Sequence, residues 1–245
     1  MKIDIMTLFP EMCETVLGES IIGRARRAGK VDISCVNIRD FSGNKHNKVD
    51  DTPYGGGMGM IMSATPIYNC FNSLYNSESD EKPHLIYMSP KGRTFDQAKA
   101  IELSQYKHIV LLCGHYEGVD QRVIDEIVDE EISVGDYVLT GGELPALTVA
   151  DAVCRMLPGV LSDDICFTEE SHMGGLLEYP QYTKPDCWNG RKVPEVLLSG
   201  HHANISRWRR EKSIEETYHR RPEMLKTAEL TKEDIKYLNK IKNSD

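Results

Sequence analysis

Short apolar runs and amphipathic segments alternate along the first two thirds of the chain. Val- and Ile-rich runs separated by helical patterns are typical of a parallel sheet with crossover helices. The predicted strands are Ile3–Leu8, Val31–Ile38, His84–Met88, His108–Cys113 and Glu131–Val134. The predicted helices are Glu11–Ala28, Thr65–Leu74, Thr94–Leu103, Val119–Val128 and Leu144–Met156. The pattern therefore predicts an α/β domain over residues 1–161.

The pattern changes after Leu161. Residues 162–175 are polar, acidic and without apolar periodicity, which is typical of an interdomain linker. Arg- and Lys-rich helical segments follow, and Thr231 with Asp234 three positions later has the spacing of a helix start. We therefore predict a flexible linker over residues 162–175 and a small all-helical domain over residues 176–245.

The composition is that of a soluble globular protein, with 27% charged and 40% hydrophobic residues. The first apolar run is interrupted by Asp4 and ends at Pro10, so it is too short for a signal peptide or a membrane span. Seven cysteines, none in a CxxC pair, favour reduced thiols over disulfides or zinc. These features predict a cytoplasmic protein.

Charge is unevenly distributed within a net charge of −9. Residues 114–180 hold fifteen acidic residues against Arg122 and Arg155. Residues 24–48 and 184–226 carry net charges of +5 and +4, so two basic patches flank an acidic middle. Charge alone leaves two readings open, an RNA-binding surface or solvated helix faces.

Glycine-rich turns mark the candidate ligand sites. The segment PYGGGMGM, residues 53–60, lacks the GK[ST] ending of a P-loop, which disfavours a nucleoside triphosphate site. It remains either a tight turn or a loop whose backbone lies against a ligand or a nucleic acid. Three further loops, residues 89–92, 114–118 and 135–142, follow predicted strands. Ligands of open α/β sheets bind at that edge, so the three loops together predict a pocket for a nucleoside-like ligand, with Tyr137 and Leu139 as apolar walls.

Several polar side chains are candidates for chemistry. Arg155 ends an apolar helix, where its positive charge could simply interact with the negative end of the helix dipole. An acidic cluster is formed by Asp163, Asp164, Glu169 and Glu170. It is either a run of exposed, hydrated carboxylates or the source of a general base. In the segment SRWRREK, residues 206–212, we predict that Trp208 lies in the core and that the arginines point outward.

Five motifs in this order resemble the bacterial tRNA (guanine-N1)-methyltransferase family, from Met1 to about Leu225. They are DDTPYGGGMGMIM, CGHYEGVDQRV, VGDYVLTGGELPALTVADAVCRMLPGVL, GLLEYPQYTKP and VLLSGHHANISRWR. The resemblance implies the SPOUT architecture, an α/β fold whose parallel sheet carries a deep C-terminal trefoil knot. It makes residues 1–161 the methyl-donor-binding domain and residues 176–245 a small helical tRNA-binding domain. It also implies a homodimer with active sites built from both chains. The implied reaction is methyl transfer from S-adenosyl-L-methionine to N1 of guanosine 37 in tRNAs where another guanosine precedes it.

The resemblance assigns roles to individual positions. The residues implied to bind the methyl donor are Met88, Ser89, Pro90, Gly114, Tyr116, Glu117, Val134, Gly135, Asp136, Tyr137, Val138, Leu139, Gly141, Gly142 and Pro145. Arg155 matches an arginine that supports guanine O6, and Glu170 stands where the family carries an aspartate as general base. The extra methylene of Glu170 would shift the carboxylate oxygens, and a displaced catalytic group lowers the rate of methyl transfer.

The remaining implied contacts are with tRNA and with a metal ion. The residues expected to contact the anticodon stem-loop are Tyr54, Gly55, Gly56, Gly57, Ser199, His201, Arg207 and Arg209. The resemblance also implies the use of Mg²⁺. The sequence shows no metal-ligand spacing, so we expect any such ion to be bound weakly or through the substrate.

Three alternatives remain at the level of sequence. The first is an enzyme of the same fold that methylates another RNA position. The second is an RNA-binding protein without catalysis, which only the glutamate at position 170 makes plausible. The third is a nucleotide-binding metabolic enzyme, which would bind triphosphates tightly and act without RNA.

Overall fold

A five-stranded, entirely parallel sheet forms the centre of the first part of the molecule. The computed structural model describes residues 1–76, 81–161 and 170–243. The sheet order is β2-β1-β6-β5-β7. Its strands are β1 (Lys2–Thr7), β2 (Asp32–Asn37), β5 (His84–Thr94), β6 (His108–Cys113) and β7 (Glu130–Ser133). Two further short strands, β3 (Asp50–Asp51) and β4 (Ile61–Met62), pair antiparallel and enclose the glycine-rich segment. The five predicted strands and the parallel sheet are confirmed.

Helices cover both faces of this sheet, which is why its strands are apolar on both sides. Within β5, Ile86 and Met88 belong to one buried cluster, and Leu85 and Tyr87 belong to the other, because successive side chains point to opposite faces. The helices are α1 (Pro10–Leu17), α2 (Ser20–Arg27), α3 (Ala64–Asn72), α4 (Gln97–Leu103), α5 (Gln121–Ile127) and α6 (Glu143–Cys154), with a 3-10 turn at Ile38–Phe41. The first cluster packs against α1, α2, α4 and α6, and the second packs against α3 and α5.

The structure differs from the sequence-based elements in two places. The single helix predicted over Glu11–Ala28 is two helices, with Ser20 at a φ of +54° where the second begins. Strand β5 continues to Thr94, where the prediction placed a helix start, and its pairing with β7 shifts register between Met88 and Arg93. Gly92 explains this bulge, since a Cβ there would lie 2.4 Å from the backbone of Glu131.

The chain divides into two compact units, Met1–Ser162 and Asp163–Asp245. In the second unit, the elements are β8 (Cys187–Trp188), β9 (Arg191–Lys192), α7 (Glu195–Leu198), α8 (His202–Arg220) and α9 (Lys232–Lys242), with a 3-10 turn at Pro222–Lys226. Leu176, Ile214 and Leu238 form its buried core. The predicted helix start is confirmed, because Thr231 and Asp234 form a capping box at α9.

The prediction of an all-helical second part is wrong in one respect. Strands β8 and β9 form a small antiparallel hairpin around Asn189 and Gly190, both with positive φ. Asn-Gly is the strongest short-range signal for such a turn, so the sequence did contain the information.

The predicted linker over residues 162–175 stays a prediction. Residues 162–169, with Asp163, Asp164 and Glu169, lie outside the described residues. The described part of that range belongs to the second unit, where His172 N–H donates to the carbonyl of Leu176 at 2.9 Å. No described helix is long and apolar enough to cross a membrane.

Candidate active site

A cavity of about 320 Å³ opens at the carboxyl ends of β6 and β7 and along the bulge of β5. This is the edge of a parallel sheet at which ligands bind. All of the predicted donor-binding residues except Asp136 line it, and Asp136 is an exposed residue outside the lining. The lining set is Met88, Ser89, Pro90, Gly114, Tyr116, Glu117, Val134, Gly135, Tyr137, Val138, Leu139, Gly141, Gly142 and Pro145. The structure thus brings together the bulge of β5, where the sequence predicted a loop over residues 89–92, and the loops that follow β6 and β7.

The loop after β6 forms one wall and is fastened to the segment that follows the glycine-rich turn. Glu117 N–H donates to the carbonyl of Met60 at 3.0 Å, and Met62 N–H donates to the carbonyl of Gly118 at 2.9 Å. Tyr116, with a φ of +60°, and Gly118, with a φ of +129°, reverse the chain here. The glycine-rich segment is therefore held beside the cavity by backbone hydrogen bonds.

The loop after β7 and the start of α6 form the opposite wall. A Cβ on Gly142 would lie 2.7 Å from Cys113 Cα and 2.9 Å from the backbone nitrogen of Gly114. Such distances leave no room for a side chain, so the two walls approach each other backbone to backbone. Gly142 N–H donates to the carbonyl of Gly114 at 2.8 Å, which fixes this approach.

Burial disfavours ionisation of two groups at the cavity. It raises the pKa of Tyr87, which lines the cavity, from its ordinary value of 10.0 to about 12. Burial likewise raises the pKa of the Cys113 thiol well above its ordinary value, so Cys113 is not a thiolate nucleophile. The charged side chains that line the cavity are Glu117, Glu131 and Lys91.

Arg155 and Glu170 lie in different units. Arg155 follows the last residue of α6 and is half-buried in the first unit. Glu170 lines a second cavity, of about 210 Å³, which lies within the second unit. That cavity also includes Tyr179, Arg209 and Arg210, so a carboxylate and two guanidinium groups share it.

The residues predicted to contact tRNA are mostly exposed. Tyr54 is 99% exposed, and Gly55, Gly56 and Gly57 all have positive φ, so this segment presents bare backbone to solvent. Ser199, His201 and Arg207 are exposed on the second unit. Arg209 is half-buried, with its guanidinium 4.9 Å from the ring centroid of Tyr179.

The expectation that Trp208 lies in the core is not met. Trp208 is half-buried and packs at ring-centroid distances of 6.5 Å and 6.3 Å against Tyr179 and Tyr182. The helix that carries it buries Ser213, Ile214 and Thr217 instead.

Sequence reasoning missed several residues that line the first cavity. They are Tyr87, Val119, Gln121, Ile124, Glu131, Ile132 and Ser133. Lys91, His115 and Gly118 also line the cavity, and they lie within the loops that the sequence predicted for the pocket. Tyr87, Ile132 and Ser133 sit in strands directly before the predicted loops, so extending each loop by two or three residues would have found them. Gln121 and Ile124 are on α5, and no periodicity showed that this helix begins at the cavity.

Within the described ranges, no group of three or more His, Cys, Asp or Glu side chains is placed to hold a metal ion.

Comparison with known proteins gives a family and many relatives. A family model described as tRNA (Guanine-1)-methyltransferase TrmD matches residues 1–227. A tRNA (guanine-N(1)-)-methyltransferase of Alkaliphilus oremlandii is 57% identical over 247 residues, covering 99% of this chain and 99% of the relative. Proteins of the same name from Ruminiclostridium cellulolyticum and Alkaliphilus metalliredigens are 57% identical over 224 residues and 52% identical over 242 residues. The first of these covers 91% of this chain and 96% of the relative, and the second covers 98% of each.

Proposed function

This chain belongs to the tRNA (guanine-1)-methyltransferase family, and we propose that it methylates N1 of guanosine 37 in tRNAs with a preceding guanosine, using S-adenosyl-L-methionine. The family establishes the enzyme class, a tRNA (guanine-N1)-methyltransferase. The tRNA position, the donor and the residue roles are the proposal. The observation that carries it is the cavity at the sheet edge, which is lined by the bulge of β5 and by the loops that follow β6 and β7.

The cavity residues fit the methyl donor. The backbone approach at Gly142 and Gly114 leaves main-chain groups, rather than side chains, facing a planar ligand such as a nucleoside. Tyr137, Val138 and Leu139 supply apolar surface, and Glu117 and Glu131 supply negative charge that suits a cationic sulfonium. When bound, the donor supplies an activated methyl group that is intrinsically reactive towards a nitrogen nucleophile.

The chain's own residues handle the proton and the developing charge on guanine. In the proposal, the Glu170 carboxylate accepts the N1 proton as the N1–CH₃ bond forms and the S–CH₃ bond breaks. Arg155 donates hydrogen bonds to O6, where negative charge accumulates when N1 loses its proton. Since the reactivity resides in the donor, the protein contributes mainly positioning and a dry environment. Any Mg²⁺ would be held weakly or through the tRNA in this proposal.

An exposed apolar face supports the proposed homodimer. Phe9, Met12 and Val16 recur at helical spacing along and just before α1, and each is 42% to 51% exposed. Leu144, at the start of α6, is 51% exposed as well. Monomeric proteins seldom leave such a stripe in water, so it suits an interface between two copies. The proposal also holds that the sheet carries a trefoil knot and that the protein acts in the cytoplasm.

The test is methyl transfer from labelled S-adenosyl-L-methionine to two tRNA transcripts that differ only in having guanosine or adenosine at position 37. We expect incorporation into the guanosine transcript alone, with a reverse-transcription stop at that base because N1-methylation blocks the pairing edge. Equal incorporation into both transcripts would assign the enzyme to another tRNA position. Donor binding without incorporation into either transcript would contradict the proposal.

A further inference from the structure

The hairpin β8–β9 presents a tryptophan to solvent in the second unit. Trp188 is 65% exposed, and every residue from 181 to 192 is exposed. The turn is fixed by Asn189 and Gly190, with φ of +49° and +79°, and the base of the hairpin is closed by Val193 N–H donating to the carbonyl of Asp186 at 2.9 Å. A large aromatic ring is therefore held on a defined, projecting turn rather than in a core.

Arg191 pairs directly with Trp188 across the hairpin, and Lys192 pairs with Cys187. Residues directly opposite each other in an antiparallel pair share a face, so the Arg191 and Trp188 side chains leave the hairpin on the same side. This is the combination of flat aromatic surface and adjacent guanidinium that binds unstacked bases and backbone phosphates.

The cations of the second unit differ in whether they form ion pairs. Several on α8 are paired within the unit, as in Lys212–Glu215 at 2.6 Å and Arg220–Glu216 at 2.5 Å. Within the part of the chain that the structure describes, Lys184, Arg191 and Lys192 make no ion pair. The hairpin thus concentrates exposed cations whose charge is available to an anionic partner.

We propose that the β8–β9 hairpin is a tRNA-binding element, in which Trp188 stacks on an unpaired base and Arg191 and Lys192 contact phosphates. The inference rests on the proposed function for the identity of the RNA. RNA is the favoured occupant because a phosphate backbone presents a regular row of negative charges to adjacent unpaired cations such as Arg191 and Lys192. An interface between copies is the competing outcome of the test.

Direct tRNA binding by the full-length protein, measured at several salt concentrations, tests the cations. Replacing Arg191 and Lys192 together by Ala should weaken binding and reduce the slope of log K against log salt by about two, roughly one for each phosphate contact. The matched control replaces Lys212 and Arg220 by Ala, which removes the same charge from cations that are already paired. Equal losses in the two variants would overturn the proposal, since only net charge would then matter.

Trp188 is tested by substitution and by its own fluorescence. Trp188→Ala should weaken tRNA binding about tenfold, raising KM without lowering kcat, and Trp188→Phe should retain most of the affinity because a phenyl ring still stacks. The chain has two tryptophans, so Trp208→Phe leaves Trp188 as the sole reporter, and tRNA should quench it. Unchanged affinity in Trp188→Ala would sink the proposal.

Sedimentation of Trp188→Ala distinguishes the two candidate partners of the hairpin, tRNA and a second copy of this chain. A variant that keeps the wild-type oligomeric state while losing tRNA affinity supports the RNA contact. A shift to smaller species would assign Trp188 to contact between copies instead. Wild-type protein that binds tRNA without transferring methyl would contradict the proposed function but leave the hairpin proposal standing, because binding is measured without turnover.

Discussion

Thr7, at the end of β1, donates a buried hydrogen bond of 2.8 Å to Glu143, the first residue of α6. The Thr7 hydroxyl also accepts from the backbone N–H of Phe9 at 2.9 Å. Glu143 is only 4% exposed and directly follows Gly141 and Gly142 of the cavity. One hydroxyl therefore links the sheet, the start of α1 and the helix whose first turn borders the candidate active site.

Thr7→Val should lower the free energy of unfolding by about 1–3 kcal/mol. The substitution keeps the shape of the side chain but removes a partner from the buried Glu143 carboxylate and from the Phe9 N–H, and a buried carboxylate without its partner is costly. Urea denaturation would measure the change. Thr15→Val is the matched control, because Thr15 is exposed on α1 and its hydroxyl bonds only the carbonyl of Glu11, so its effect should stay within about 0.5 kcal/mol.

Gly142→Ala should weaken donor binding at least tenfold and destabilise the fold by about 1–3 kcal/mol. The φ of Gly142 is −83°, which alanine adopts readily, so the expected defect is steric and comes from the backbone of Cys113 and Gly114. Isothermal titration of S-adenosyl-L-methionine would report it. Gly174→Ala provides the control for glycine replacement itself, since no described atom beyond its chain neighbours lies within 4 Å of its Cβ position and it lines the second cavity, not the first. Normal donor binding by Gly142→Ala would show that the two walls can separate without loss.

Glu170→Gln should lower the single-turnover rate of methyl transfer by about a hundredfold or more, with little change in tRNA affinity. Glutamine keeps the size of the side chain but cannot accept the N1 proton, and general bases contribute about 10²–10⁴ in rate. Glu170→Asp restores a carboxylate with one methylene fewer, so it should stay much closer to wild type than Glu170→Gln does. If Glu170→Gln transferred methyl at the wild-type rate, the base would have to be another group.

Asp234 should make the stability of the second unit depend on pH in acid. Burial alone would raise the pKa of Asp234, but hydrogen bonds from Arg210 and from Thr231 outweigh burial and lower the pKa below its ordinary value. Because the native pKa lies below the unfolded one, the carboxylate stabilises the fold above about pH 4, and this stabilisation is lost as the pH falls through the native pKa.

Calorimetry of Asp234→Asn measures that contribution. At pH 7 the variant should be less stable by about 1–2 kcal/mol, through loss of the capping box and of the Arg210 contact. The difference from wild type should shrink below about pH 4. The neighbouring Glu233→Gln, at an exposed position in the same helical turn, should change stability by less than about 0.5 kcal/mol. A deficit for Asp234→Asn that persisted undiminished in strong acid would contradict the ionic explanation.

Sequence predicted the second unit less well than the sheet. The spacing of Thr231 and Asp234 identified the start of α9, because a capping box leaves a local signature in the sequence. The sequence analysis placed Trp208 in the core, whereas in the structure it is half-buried against Tyr179 and Tyr182. These two rings become its neighbours only through the tertiary fold. The hairpin at Asn189 and Gly190 was readable from the turn residues and was overlooked.

The sequence by itself determined the parallel α/β sheet and most of the cavity lining. Apolar runs of strand length report burial on both faces, and glycines after strands report close backbone approach, so both are local properties of the chain. Only the tertiary structure decided the bulge that carries β5 on to Thr94, the meeting of Gly142 with Cys113, and the bond between Thr7 and Glu143. These depend on which distant segments become neighbours, and no local pattern of side chains encodes that choice.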